Sequence, residues 1–244
     1  MSRPRAAMLL AAGLGTRMRP LTAHTAKPLL ALGGRTLLDH ALDRLAAAGV
    51  ETVVVNIHWH AEQVADHLAT HWADGPRIVL RRERELLDTG GAVRAALDVL
   101  GAAPFFVVNG DAFWLDGPTP ALSRLADAWK QAERDAVLLV HPTYLVPGGA
   151  DGGDFFVDPL GRVRRPRPHE VAPFRYAGIQ LIRPALFAAA PAGRFSINPL
   201  WDRAIEAGRL AAVVHDGSWF HLSTPPDLAD AESNLQARAL GEAE

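Results

Sequence analysis

An apolar run that ends in two glycines and a string of cations constrains this chain more than any other feature. Residues 6–12 are short enough for one buried strand, and they lead directly into Gly13-Leu14-Gly15-Thr16-Arg17, then Arg19-Pro20-Leu21-Thr22 and Lys27-Pro28. A strand that ends in glycines lets backbone N–H groups turn toward an anion with no Cβ in the way. Arg17, Arg19 and Lys27 add positive charge nearby. Bare amides, small residues and cations on one loop suit a polyphosphate. Glycines spaced G-x-G are equally the mark of an ordinary strand-to-helix turn.

Two common phosphate loops do not fit. The Walker pattern closes on Gly-Lys-Ser/Thr, which is absent. The dinucleotide pattern needs a third glycine at position 18, where this chain has Met18, so no helix is set to start there and aim its N-terminus at a pyrophosphate. Pro20 and Pro28 instead keep the chain irregular and extended. The loop is therefore expected to be long and to wrap its ligand.

A chain of 244 residues, nearly half of them apolar, has enough material for a sizeable core and is expected to form a single domain over 1–244. Charge is close to balanced, 25 Lys and Arg against 27 Asp and Glu, so neither nucleic acid nor a membrane surface is indicated as the main partner. There is no cysteine, hence no disulfide and no thiolate metal site. The basic start Met1-Ser2-Arg3-Pro4-Arg5 leads into the glycine loop rather than into a signal peptide, and no run approaches the roughly 18 apolar residues of a membrane span. These features predict a cytoplasmic protein, with no obligate protein partner implied.

The first half alternates strand and helix. Helical faces are expected over 36–48, 61–72 and 91–100, and strands over 50–57, 78–80 and 104–108. Further on, strands are expected at 136–141, 176–182 and 210–215. Helices are expected at 185–190, 198–208 and 225–239. A hairpin is expected over 155–165, turning at Asp158-Pro159-Leu160-Gly161, and a loop over 147–153. Strands spaced by helices argue for a mostly parallel sheet covered on both faces. Ligands of such sheets sit beyond the carboxyl ends of the strands, where both the glycine loop and Asn109-Gly110-Asp111 fall. No hexapeptide repeat of a left-handed β-helix is present.

Asp111 follows an apolar strand and a glycine, so its carboxylate would project at the sheet edge. A hard oxygen donor there suits Mg²⁺, although Asn-Gly-Asp is also good turn chemistry. Arg17 and Lys27 are either phosphate ligands or solvated loop charges, and Arg19 could equally hold the loop through an acid. Asp88 or Thr89 would cap the helix that follows. His58 with His60, and His67 with His71, have ligand-like spacing, but position 68 is Leu68, not part of an H-E-x-x-H frame. Surface histidines on an amphipathic helix are commoner than zinc sites. No G-x-S-x-G elbow surrounds Ser196 or Ser223, so nucleophilic hydrolysis has no support.

The whole string from Leu10 to Pro28 is far more specific than G-x-G, and it resembles the signature loop of the sugar-1-phosphate nucleotidyltransferases. Within that family the chain looks most like the N-acetylmuramate-1-phosphate uridylyltransferases of bacterial cell-wall recycling, from Met8 to about Leu235. The resemblance implies a three-layer, Rossmann-like α/β fold of the GT-A-like nucleotidyltransferase type, with a mostly parallel mixed sheet and helices on both faces. It implies nucleotidyl transfer from UTP to a sugar-1-phosphate, with release of pyrophosphate and Mg²⁺ as cofactor. Glucose-1- or mannose-1-phosphate with another nucleoside triphosphate remains an alternative, as does a nucleotide-sugar-binding protein without turnover.

Residue by residue, the resemblance implies that Gly13, Gly15 and Thr16 supply amides and a hydroxyl to the triphosphate. Arg17 would neutralise the departing pyrophosphate, Lys27 the phosphate under attack, and Asp111 would hold the metal. Gly90, in Thr89-Gly90-Gly91, would lie against base and sugar. Asn109, Asp154 and Gly178 would lie near the sugar. One position departs from the pattern. Relatives read Trp-x-Asp-x-Gly-Thr, the aspartate being a second metal ligand, whereas Trp219-Phe220-His221-Leu222-Ser223-Thr224 puts His221 there. Imidazole is a poor donor for Mg²⁺. The metal would then rest on Asp111, phosphates and water, or be a softer ion such as Mn²⁺, or turnover would be poor.

Overall fold

Valine- and leucine-rich runs that are apolar on both faces can be satisfied only inside a sheet covered on both sides. The computed structural model of the chain, which describes residues 3–130, 133–146 and 152–241, has such a sheet. In chain order the first elements are β1 (Ala6–Leu10), β2 (Ala31–Leu32), β3 (Arg35–Thr36), α1 (Leu37–Ala47), β4 (Thr52–Ile57), α2 (Ala61–His71) and β5 (Arg77–Arg82). Next come α3 (Asp88–Ala95), α4 (Leu97–Leu100), β6 (Phe105–Asn109), β7 (Ala112–Leu115), α5 (Ala121–Lys130) and β8 (Ala136–Pro142). The chain closes with β9 (Phe156–Val157), β10 (Val163–Arg164), β11 (Phe174–Ile182), α6 (Asn198–Glu206), β12 (Leu210–Val214), β13 (Ser218–His221) and α7 (Pro225–Gly241).

Seven strands form the main sheet in the order β12-β8-β11-β6-β1-β4-β5. All run parallel except β11, which is antiparallel to both its neighbours. β1 is central, and its side chains divide between the two faces. Ala7 and Leu9 pack under α1, α2 and α5 with Leu42, Leu45, Leu68 and Leu125. Met8 packs with Val93, Leu100, Leu200 and Trp201 of α3, α4 and α6. The result is the three-layer, helices-on-both-faces architecture that the alternation of elements implies. A capping box starts α1, with Thr36 and Asp39 each accepting from the other's backbone N–H.

Several boundaries differ from the sequence expectation. The helix expected over 91–100 is two helices, because Ala96 carries φ −107° and ψ 0° between them. The helix expected over 185–190 is a 3₁₀ turn, Pro184–Phe187. The expected hairpin is β9–β10, and Asp158 nucleates its turn by accepting from the backbone N–H of Leu160 and Arg162, both at 2.9 Å. Of the loop expected over 147–153, residues 147–151 lie outside the described residues. β2, β3, β7, α5 and β13 were not anticipated. No helix of the described residues is long and apolar enough to cross a membrane.

β7 and β13 form a two-stranded antiparallel ribbon outside the main sheet, with His221 opposite Ala112. Two buried histidines brace it. His215 Nε2 lies 3.1 Å from Leu115 O and 3.3 Å from Ser218 O, so it carries the hydrogen and donates to the ribbon. His141 Nδ1 donates to Pro142 O at 3.1 Å, and the two rings are 6.0 Å apart. Burial pushes both imidazoles below the ordinary histidine value, and in His141 the neighbouring His215 adds to the effect.

The pH dependence follows. The unfolded chain binds more protons than the folded one below the unfolded pKa of 6.5, so the stability these residues support is present above that pH and declines as pH falls. The melting temperature should drop between pH 7.5 and pH 5, and replacing both histidines with glutamine should flatten that slope. An unchanged slope in the double variant would remove the pair as its source.

Candidate active site

The ends of β1, β4 and β6 are tied together by backbone and by one buried amide. Gly110 N donates to Leu10 O at 2.8 Å, and Ala11 N donates to Asn56 Oδ1 at 2.8 Å. From this anchored point the glycine loop leaves the sheet. Gly15 adopts the left-handed conformation, with φ 62° and ψ 27°. A Cβ there would sit 2.9 Å from Thr22 Cγ2. The Gly15 carbonyl accepts twice, from the Thr22 hydroxyl at 2.7 Å and from Met18 N at 2.9 Å. Buried Thr22 thus pulls the loop back on itself. Met18 is buried with Leu30, Leu32, Phe113 and Phe220, which pins the loop's body to α1, α7 and the β7–β13 ribbon. Its outer edge, Gly13, Thr16, Arg17 and Arg19, stays exposed.

The second part of the loop is held by the segment entering α2. Ala26 N donates to Gln63 Oε1 at 3.0 Å and Gln63 Nε2 to His24 O at 2.7 Å, while Trp59 Nε1 reaches Thr22 O at 3.3 Å. The spaced histidines serve the same kind of bracing. His58 bonds Glu83 O and His60 bonds Ala23 O. His67 bonds Asp39 at 2.8 Å, and His71 stacks on it. Burial pushes the Asp39 carboxyl up, but hydrogen bonds from Trp72, His67 and Thr36 outweigh it and hold the group at about 2. Among the described residues no three His, Asp or Glu side chains gather as a metal nest.

A 3₁₀ turn at Lys27–Leu29 directs Lys27 inward, where its Nζ lies 2.7 Å from Asp111 Oδ2. The Lys27 side chain is 12% exposed and that of Asp111 41%. The carboxylate is therefore still open to a cavity of about 370 Å³ that both residues line. Its lining includes Gly13, Lys27 and Asp111 together with Glu83, Leu86, Asp88 and Arg194. A second cavity, of about 320 Å³, shares Leu10, Asp88, Thr89 and Asn109 with the first. It continues past Asp154, Tyr176, Gln180 and Trp201. Asp154 Oδ2 accepts from Tyr176 N at 2.8 Å. The Tyr176 hydroxyl is buried without a hydrogen-bond partner among the described residues, and burial keeps the phenol protonated.

Gly178 carries φ 80° where the β11 register shifts, and a Cβ would be 3.2 Å from Asn109 Nδ2. Its absence of a side chain lets β11 lie over Asn109. Gly90 serves a close contact too. Its amide and that of Gly91 both donate to Phe195 O at 3.0 Å, and a Cβ on Gly90 would overlap the Phe195 ring. Leu87, not Asp88 or Thr89, is the N-cap of α3. Thr89 Oγ1 instead accepts from Ile197 N at 3.0 Å. His221 is half-buried beside Asp111. Burial lowers its pKa and Arg175 and Arg17 add to this, against Asp227 and Asp111, so the ring is neutral at neutral pH.

The geometry brings Gly13, Lys27, Asn109 and Asp111 to one cavity and Asp154 to the adjoining one. Arg17 and Thr16 stand on the exposed lip, and Gly90 and Gly178 lie behind the walls. Sequence reasoning missed Asn56 and Glu83. Asn56 Nδ2 donates to Glu83 Oε1 at 2.7 Å, and Glu83 Oε2 accepts from Leu87 N at 2.9 Å. The signal was a single asparagine, now 4% exposed, in the otherwise apolar strand TVVVNI.

A parallel sheet with an anion-ready loop and a carboxylate at its rim defines a class, and the family model for nucleotidyl transferases matches residues 6–144. The chain belongs to that family. It is 43% identical over 235 residues to the N-acetylmuramate alpha-1-phosphate uridylyltransferase of Caulobacter vibrioides, covering 95% of this chain and 97% of that protein. It is 33% identical over 229 residues to the protein of the same name from Neisseria meningitidis, covering 93% and 96%. Its fold matches that of a UDP-glucose pyrophosphorylase solved with UDP-glucose, with a TM-score of 0.79 at 15% identity over 96% of this chain and 99% of that one.

Gly15→Ala should be destabilising, since a left-handed non-glycine residue costs roughly 1–2 kcal/mol before the Thr22 clash is counted. Urea unfolding measures it, and a midpoint equal to the parent's would show that the loop does not depend on this conformation.

Proposed function

We propose that this protein transfers the uridylyl group of UTP to a sugar 1-phosphate, giving a UDP-sugar and pyrophosphate. N-acetylmuramate 1-phosphate is the acceptor we favour. Similarity to two uridylyltransferases of that name over nearly the whole chain supports the reading. Recycling of peptidoglycan sugars in the cytoplasm is the corresponding setting. The observation that carries it is the Lys27–Asp111 pair on the wall of a cavity that also holds the glycine loop and that adjoins, through Asn109 and Thr89, a second cavity lined by hydrogen-bonding side chains.

In this reading the triphosphate lies along the glycine loop, with Gly13, Gly15 and Thr16 offering backbone N–H groups and a hydroxyl. Lys27 leaves Asp111 for the phosphate under attack, exchanging one anion for another. Arg17, exposed and without an ion-pair partner among the described residues, is available to the departing pyrophosphate. Asn109 and Asp154 orient the sugar. The attacking phosphate is already an anion at neutral pH, so no side chain need remove a proton. Rate enhancement then comes from alignment and from charge neutralisation in a partly closed site.

The donor set fits a metal delivered with the nucleotide rather than one caged by protein. Asp111 is a single hard carboxylate on the cavity wall, His221 is neutral, and the remaining ligands would be phosphate oxygens and water, as Mg²⁺ accepts. When bound, Mg²⁺ would offset charge on the phosphate oxygens.

Pyrophosphate release from a panel of nucleoside triphosphates and sugar 1-phosphates tests the proposal. UTP with N-acetylmuramate 1-phosphate should be the preferred pair, and chelation of the divalent metal should abolish release. Arg17→Ala and Asp111→Asn should each lose on the order of 10²-fold in kcat, the scale of losing one transition-state donor. No release with any pair and any divalent ion would leave a binding protein in place of an enzyme.

A further inference from the structure

The far ends of the central strands border an opening that the site above does not use. Leu10 and Asn109, which end β1 and β6, line the active-site cavity. Ala6 of β1 and Pro104, just before β6, line another cavity of about 360 Å³ at the opposite rim of the sheet. The strand from Ala6 to Leu10 sets the two rims about 13 Å apart. The two cavities share no lining residue and are nearly equal in volume. Part of the far cavity's lining is apolar, with Val99 and Leu100 of α4, Trp129 of α5 and Leu181 of β11. Leu100, Trp129 and Leu181 are buried, so the core fixes the shape of that lining.

The charged part of the lining is Arg3, Arg5, Lys130 and Glu51, three cations to one acid. Glu51 is taken up by Arg5 at the surface. Lys130 pairs at 2.8 Å with Asp127, which lines an adjoining recess of about 60 Å³. Arg3 lines both the cavity and the recess, and it has no ion-pair partner among the described residues. Even with Asp127 counted, cations outnumber acids here three to two, in a chain whose net charge is −2. Apolar lining beside a surplus of guanidinium and ammonium donors suits one ligand chemistry. We propose that this cavity binds a small organic anion with an apolar body, its acid group meeting Arg3 and Lys130 and its body lying against the apolar lining. A neutral ligand would leave the surplus charge unanswered, and an inorganic anion would leave the apolar lining uncovered. The proposal is independent of the nucleotidyl-transfer reading, which uses no residue of this cavity.

The probe is 8-anilinonaphthalene-1-sulfonate, a sulfonate on an aromatic body whose fluorescence rises against apolar surface. It is titrated into the full chain with and without saturating UTP and Mg²⁺. The dye should bind one site with an affinity that the nucleotide leaves unchanged. Raising ionic strength from about 0.05 M to about 0.5 M should weaken it, because an ion contact is screened. Ala126 lines both the cavity and the recess from α5, so Ala126→Trp puts an indole into the space and should weaken the dye at least tenfold. Arg3→Gln combined with Lys130→Gln should weaken it about tenfold, the scale of losing charge-assisted hydrogen bonds. Both of those residues are exposed, so this second variant decides the matter should Ala126→Trp fail to fold, which its melting temperature would reveal. Absence of any dye binding, complete displacement by UTP, or an affinity unchanged in the folded variants would overturn the proposal.

Discussion

A lysine and an aspartate 84 residues apart in the chain meet at 2.7 Å, and the geometry of the site is organised around that contact. Lys27 comes from a loop that has no regular structure of its own beyond short turns. Asp111 comes from the end of a central strand. Their meeting requires the loop to fold back across the sheet rim, which Gly15, Thr22 and Met18 bring about from within. It also requires the strand ends to be level, which the Leu10–Gly110 and Ala11–Asn56 bonds secure. The pair is asymmetric. Lys27 is nearly covered, whereas Asp111 keeps an open flank toward the cavity. An ion pair with one exposed member holds the site together in the absence of ligand and can still exchange partners when phosphate and metal arrive.

Around this pair lies a shell of neutral and charged braces that touch no reacting atom. Asn56 links the first loop to Glu83, and Gln63, Trp59 and His60 hold the loop's far side. His141 and His215 stand behind the β7–β13 ribbon that carries His221. Most of the histidines thus act as structural donors to backbone carbonyls.

The fold was legible because its strands are continuous apolar runs and its helices have one apolar face. The glycine loop and Asn109-Gly110-Asp111 were legible as a site because they fall at the same sheet edge. Five elements were not read, the two-residue strands β2 and β3 among them. β7 is only AFWL, directly after the NGD turn, and its partner β13 lies about a hundred residues on. The pairing of such short strands is set by tertiary contact rather than local pattern. α5 does show buried Ala121, Leu122, Leu125 and Trp129 at helical spacing, a signal that was present and overlooked. At the site, Asn56 was hidden because a lone asparagine in a buried strand announces a hydrogen-bond network without naming its partners. Gly90 is required by Phe195, more than a hundred residues away, and no local spacing expresses that.

The central claim is that Lys27 and Asp111 are a resting pair that a nucleotide–metal complex separates. A crystal structure of the protein with UTP and Mg²⁺ tests it directly. The account predicts the triphosphate against Gly13 and Gly15, Lys27 Nζ moved onto a phosphate oxygen, and Asp111 turned to the metal. A nucleotide bound away from this rim, or a triphosphate in place with the Lys27–Asp111 contact intact, would contradict it.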